Sequence, residues 1–283
     1  MFKPLTVAAG IETGAILPSD SFDVREPLSI SGHMISDDHP IYGRASVTTI
    51  ISESSNIGTV KIADRIGTRR QKEFYDRLGL MERASIELAG SAAPLLPQNW
   101  TELSTATVSY GHGISVSPMA FISAFSALAN DGEIVPPKLI LSEESGAPRR
   151  VMSAPTAAIV TEMMRDAVIN GTGSNAAVAG YRVAGKTGTA EKPIPGGYSD
   201  TLNVNSFAAL FPADSPEFVV LIVLDEPKAG ASGGATAAWN AAPTAGRVIE
   251  RIAPLLGVTP VFEGHTIPGG SEARSVSDKR SSL

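Results

Sequence analysis

Apolar positions along this chain change rhythm near residue 170. Before it they recur mostly at helical spacing; after it they alternate or run continuously, as strands do. Residues 2–12 predict a helix. Pro4 is tolerated only in a first turn, where its missing N–H costs nothing, so that helix is expected to begin at or just before Met1. Residues 14–45 are rich in Pro, Gly, Ser and Asp, with Ile30, Met34 and Ile35 as sparse anchors, and predict a long loop with short strands. Short helices are predicted over 46–53 and 57–66, the second ending at Gly67, with Ser54-Ser55-Asn56 at their junction. A charged amphipathic helix over 68–78 stops at Gly79. Pro94 and Pro97 mark a loop. Apolar helices follow over 118–129, closed by Asn130-Asp131-Gly132, and over 155–169, opened by Pro155 and ended by Asn170-Gly171.

Residues 181–190, 203–211 and 217–225 predict three strands, at spacings that favour antiparallel hairpins. The run Phe218–Leu224 is apolar on both faces and rich in β-branched residues, the pattern of a fully buried central strand. A last helix is predicted over 243–256, with Val248, Ile249, Ile252, Leu255 and Leu256 on one face. Residues 1–262 are therefore expected to form one domain, and 263–283, made of Gly, Ser and charge, a disordered tail. The class is α/β, of the α+β kind: helices beside an antiparallel sheet.

Composition narrows the chemistry. With 43% hydrophobic and only 18% charged residues, the 283-residue chain is globular. A net charge of −6 gives no footprint for nucleic acid. The absence of cysteine excludes disulfides, iron–sulfur clusters and thiolate zinc sites. His33, His39, His112 and His265 lack metal-ligand spacing, so neither a metal nor another cofactor is expected. No run of 18 apolar residues is present, and no basic-then-apolar signal segment opens the chain.

Three stretches carry candidate chemistry. In Lys186-Thr187-Gly188-Thr189, strand alternation places Thr187 and Thr189 on one face and Lys186 and Gly188 on the other. Two hydroxyls on one face suit a carboxylate, edge backbone suits an extended peptide, and Gly188 permits close approach. Alternation does not explain how Lys186 would reach the same anion. Ser54-Ser55-Asn56 offers a hydroxyl to relay protons and an amide to hold a substrate amide; Ser and Asn are equally the favoured helix caps. Lys3 reads as the end of a Ser-x-x-Lys pattern whose serine would stand immediately before Met1. Positions three apart share a helix face, and a buried lysine near other cations loses proton affinity and can act as a base. A solvated first-turn lysine fits the same position.

In that order and spacing, the three signals resemble the transpeptidase domain of class B penicillin-binding proteins, most like the septal, FtsI-type cell-division enzymes. Met1-Phe2-Lys3-Pro4-Leu5-Thr6-Val7 is similar to the family segment that follows the nucleophile, Glu53-Ser54-Ser55-Asn56-Ile57-Gly58 to its second motif, and Ala184-Gly185-Lys186-Thr187-Gly188-Thr189-Ala190-Glu191 to its third. Tyr110-Gly111-His112-Gly113-Ile114 with Ser117-Pro118 resembles a further family stretch, and the likeness runs from Met1 to about Val258. The resemblance implies the serine β-lactamase and penicillin-binding transpeptidase fold, here without its first helix and first two strands. It implies a serine that attacks the D-Ala-D-Ala bond of a peptidoglycan stem peptide and passes the acyl group to a neighbouring amine. It casts Lys3 as the base, Ser54 as the proton relay, Asn56 as the holder of a substrate amide, and Lys186, Thr187 and Thr189 as the carboxylate site beside Gly188, with the Thr189 N–H as an oxyanion donor. Implied partners are stem peptides, a lipid-linked precursor, β-lactam antibiotics and the cell-division machinery. The implied location is the periplasmic face of the inner membrane at the septum.

Counting back from Lys3 puts the nucleophile outside the sequence, so this chain is expected not to acylate, and Met1 is expected to be an internal methionine of a longer protein. A non-enzymatic remnant that binds stem peptide or a division partner is the competing reading. Gly180–Thr187 also satisfies the phosphate-loop pattern, but Pro193, Pro195, Gly196 and Gly197 deny the helix that such a loop must enter, which argues against a P-loop NTPase.

Overall fold

Helix α1 (Lys3–Glu12) is buried at every position from Lys3 to Gly10, and the helical part of the molecule packs around it. In the computed structural model residues 1–87, 90–140, 146–195, 197–228 and 234–262 are described, so the expected tail at 263–283 lies outside the described residues. Phe2 already has helical dihedrals, φ −69° and ψ −24°, and Pro4 stands in the first turn as its fixed φ requires. A helix apolar all round needs neighbours all round. After the short strands β1 (Ser21–Asp23), β2 (Leu28–Ile30), β3 (His33–Ile35) and β4 (Arg44–Ser46), these neighbours come from α2 (Val47–Ser52), α3 (Asn56–Ile66), α4 (Thr68–Arg77), α5 (Glu102–Tyr110) and, later, α7 (Ala154–Ile169). β1 pairs with β4 and β2 with β3, both antiparallel, which fits the expected loop with short strands.

Hydroxyl caps start most of these helices. Ser46, Ser55, Thr101, Ser117 and Ser153 each accept a hydrogen bond from the backbone N–H three residues on, at 2.9–3.3 Å. Helix α5 was not predicted from the pattern. Its sequence, ELSTATVSY, is rich in Ser, Thr and Val, which favour other conformations in isolation. The Thr101 cap and burial of Thr105, Ala106, Val108 and Ser109 decide it instead. Helix α6 (Pro118–Ala129) precedes the two-residue strands β5 (Glu133–Ile134) and β6 (Arg149–Arg150).

The main sheet has the order β7 (Ala184–Ile194), β8 (Gly197–Phe211), β9 (Phe218–Asp225), antiparallel throughout. Helix α8 (Ala241–Ile252) covers one face, while α6 and α7 lie on the other. Alternation sorts the strand residues accordingly. Ala184, Ala208, Leu210, Val219 and Leu221 join the core shared with α1 and α7; Phe207, Ala209, Phe211, Val220, Ile222 and Leu224 join a second core with Ala241, Ala245 and Ile249 of α8. The expectation that Phe218–Leu224 forms the central strand is corrected: β8 is central and β9 is an outer strand of this sheet. Helices on both faces explain its apolarity on both faces, which periodicity cannot distinguish from pairing on both edges. Its side chains are mostly half-buried, and Val223 is 43% exposed. Among the described residues no helix is long and apolar enough to cross a membrane.

The crossing of α2 and α3 is tight. A Cβ added at Gly58 would lie 2.4 Å from Cγ1 of Ile50, which is fully buried and has no room to yield. Gly58→Ala is expected to destabilise the fold by about 1–3 kcal/mol, read as a lower urea midpoint with an unchanged denaturant slope.

Candidate active site

Four segments distant in sequence meet at one place: the first turn of α1, the turn between α2 and α3, the turn after α7 and the start of β7. Lys3 is 7% exposed, and its Nζ donates to Ser54 Oγ at 2.9 Å. Burial lowers the Lys3 pKa to about 8, against the opposing pull of Asp38 and Asp37. Lys186 is fully buried; its Nζ donates to Thr187 Oγ1 at 3.0 Å and Thr172 Oγ1 at 3.3 Å. Burial pushes its pKa well below the ordinary lysine value, the charge of Lys3 pushes the same way, and Glu53 opposes. At Gly188 a Cβ would lie 3.0 Å from the Met1 nitrogen and 2.7 Å from Met1 Cγ. Glycine there lets the start of α1 approach β7.

Ser54 sits at φ +62°, a left-handed backbone that costs a non-glycine residue about 1–2 kcal/mol. The reason is local. Helix α2 ends with Ser54 N–H donating to Ile51 O and Ser55 N–H to Ile50 O, and α3 begins at Asn56. A reversal that short needs a left-handed residue. Ser55 is the cap of α3, so the capping alternative holds for Ser55 while Ser54 faces Lys3. Asp37 anchors the turn, accepting from Ser55 Oγ at 2.7 Å and Ile57 N–H at 2.9 Å. Asn56 turns its Nδ2 to Ser36 O at 3.0 Å rather than to Lys3 or Ser54.

The geometry also resolves how Lys186 reaches its partners. Its position on β7 matches Ala184, on the α7 side, while Thr187 pairs with Phe207, whose ring belongs to the α8 side. β7 is an outer strand, so the ammonium meets the Thr187 hydroxyl around the edge that is unpaired among the described residues. Thr189 Oγ1 accepts from Ala237 N–H at 3.0 Å, and Gly188 O accepts from Ser206 Oγ at 3.1 Å. The structure thus joins Lys3 to Ser54 and Lys186 to Thr187 directly, with Thr189 one step along β7 and Asn56 on the adjoining turn. Residues 184–194 form a strand, with no helix after the phosphate-loop-like stretch.

Sequence reasoning missed Asp37 and Thr172. Thr172 lies between Gly171 and Gly173, a pattern read only as a helix stop. Its N–H and Oγ1 both reach Ser52 O, at 3.0 and 3.2 Å, and its Oγ1 lies 3.0 Å from that of Thr187. His112, in the stretch after α5, lays its ring against Tyr198 of β8 with centroids 4.8 Å apart.

The model of the penicillin binding protein transpeptidase domain family matches residues 1–246. The chain is 43% identical over 270 residues to a probable peptidoglycan D,D-transpeptidase FtsI of Caulobacter vibrioides, covering 91% of this chain and 46% of the relative. It is 34% identical to a probable peptidoglycan D,D-transpeptidase PenA of Neisseria flavescens, covering 91% of this chain and 64% of that protein. It thus spans about half to two-thirds of those curated relatives. Among solved structures, the apo transpeptidase domain of Burkholderia pseudomallei penicillin-binding protein 3 superposes with a TM-score of 0.84 at 33% identity, covering 92% of this chain and 79% of that one. Penicillin-binding protein 3 of Mycobacterium tuberculosis, complexed with ampicillin, also gives 0.84, at 30% identity, over 95% of this chain and 63% of that one.

Two outcomes follow from the strained turn and the buried base. Ser54→Gly and Ser54→Ala both remove the hydroxyl, but only glycine relieves the backbone; Ser54→Gly should unfold at higher urea, by the equivalent of about 1 kcal/mol. Folded Lys3 releases its proton near pH 8 and an unfolded lysine near 10.5, so the unfolded chain holds the extra proton between them and stability rises with pH across that window. In Lys3→Met that rise should be smaller, measured as urea midpoint against pH.

Proposed function

The chain belongs to the penicillin binding protein transpeptidase domain family, and on that premise we propose that it is the acyl-transfer domain of a peptidoglycan D,D-transpeptidase that cross-links stem peptides in septal wall synthesis. The observation that carries the reading is the 2.9 Å contact of a buried, easily deprotonated Lys3 with Ser54 Oγ, close to buried Lys186. A serine three residues before Lys3 would lie on the same face of α1, one turn back. In this reading Lys3 takes the proton of that serine as it attacks the penultimate D-Ala carbonyl. Ser54 carries a proton onward to the leaving amine. Asn56, with Nδ2 committed to Ser36 O, offers its amide oxygen to a substrate N–H. Lys186, Thr187 and Thr189 hold the terminal carboxylate, whose charge raises the proton affinity of Lys186 as it binds. The Thr189 N–H and that of the attacking serine stabilise the oxyanion.

β-Lactams present a similar carboxylate and a strained amide to the same groups. The natural partners would be stem peptides, their lipid-linked precursor and the division machinery, at the periplasmic face of the inner membrane. The FtsI name of a 43% identical relative supports the septal assignment. The sequence supplies no hydroxyl three residues before Lys3, so acylation is proposed for a chain that carries a serine there, and none for Met1–Leu283 as written.

Labelling with a fluorescent penicillin tests this. A chain extended so that a serine precedes Met1 should give a covalent band that survives denaturation, and the chain as written should give none. A band from the latter, or no band from the former, would sink the assignment. In the extended chain the acylation rate should rise with pH through about 8 as Lys3 loses its proton. Lys3→Arg, which stays protonated, should lower that rate about 10²–10⁴-fold.

A further inference from the structure

Thr172 stands outside the three motif stretches, yet it touches two of the segments that build the site. Its N–H and its hydroxyl proton are both directed at Ser52 O, the last carbonyl of α2 and two residues before Ser54. Oγ1 also accepts from the Lys186 ammonium at 3.3 Å and lies 3.0 Å from the Thr187 hydroxyl. The turn has no slack: a Cβ at Gly171 would lie 2.3 Å from Ser52 O.

We propose that Thr172 is a positioning residue for the carboxylate site, a hydroxyl bridge that aims the Lys186 ammonium and the Thr187 hydroxyl and fixes their distance from the Ser54 turn. The proposal rests on the reading that Lys186 and Thr187 take a terminal carboxylate. A buried cation needs acceptors for its donors. Thr187 supplies one and Thr172 the second. The charged groups around Lys186 are Lys3 from α1, the Met1 amino group ahead of it, and Glu53 at the end of α2. Among these groups of the described residues, Glu53 favours the ammonium. Removing an acceptor therefore weakens the protonated form, and the bridge acts on charge as well as aim. Because Thr172 bonds both the α2 carbonyl and the Thr187 hydroxyl of β7, the strand is indexed to the helical half at the level of the site.

Two readouts on the chain as it exists decide this. Lysine labelled with ¹³C at Cε lets NMR follow the titration of Lys186, assigned by its loss in Lys186→Met. Calorimetry with an Nα-acyl-D-Ala-D-Ala peptide and its C-terminal amide reads carboxylate-dependent binding. Thr172→Val, close to threonine in shape, should lower the Lys186 midpoint, weaken carboxylate binding about tenfold, and move the loss of binding on raising pH to lower pH. Thr172→Ser should restore all three. Thr172→Ala repeats the comparison with a smaller side chain, and urea unfolding verifies that each variant folds. An unchanged Lys186 midpoint in folded Thr172→Val and Thr172→Ala overturns the proposal. If the unsubstituted chain shows no preference for the carboxylate peptide, the carboxylate reading fails, and the midpoint comparison still decides the role of Thr172.

Discussion

Two lysine side chains are buried close to one another, and most of the surrounding architecture makes that tolerable. Burial favours proton loss at both, and the charge of Lys3 adds to it at Lys186, while Asp38 and Asp37 oppose at Lys3 and Glu53 at Lys186. Hydroxyls do the rest: Ser54 receives Lys3, and Thr172 and Thr187 receive Lys186. A hydroxyl can accept from an ammonium and donate elsewhere in the same arrangement, which a carboxylate cannot. The site is therefore held near a protonation change rather than locked as a salt bridge. That is the condition a general base requires.

Holding such a site needs rigid supports that meet from far apart in the chain. Lys3 and Ser54 are 51 positions apart, and Thr172 and Ser52 are 120 apart. The helix that carries Lys3 is buried throughout, so its position is set by packing on several sides. The strand that carries Lys186 is half of a hairpin pressed between two hydrophobic cores. The Ser54 turn is strained, and neighbours pin it through the Ser55 cap and the Asp37 carboxylate.

Much of this was legible in the sequence because the relevant signals are local. Pro4 and Pro155 each mark a first turn, and Gly67 and Gly79 stop other helices. What escaped depends on contacts that no local pattern encodes. The apolar run of β9 describes covered faces and says nothing about its edges. Helix α5 draws its stability from burial against α3 and α1 more than from propensity. The bridging role of Thr172 exists only because the end of α7 comes back beside the end of α2. Strict alternation left Lys186 and Thr187 on opposite faces, and an outer strand supplies the route between them.

The hydrogen bond from Ala237 N–H to Thr189 Oγ1 has a consequence for polarity at the site. That amide occupies one lone pair of the hydroxyl and steers its hydrogen toward the opposite side. A visiting group that brings an oxygen finds a ready donor there; one that brings an N–H finds one of the two lone pairs already engaged. That bias toward an incoming oxygen is set by a backbone amide of the segment leading to α8, well away from either lysine in sequence.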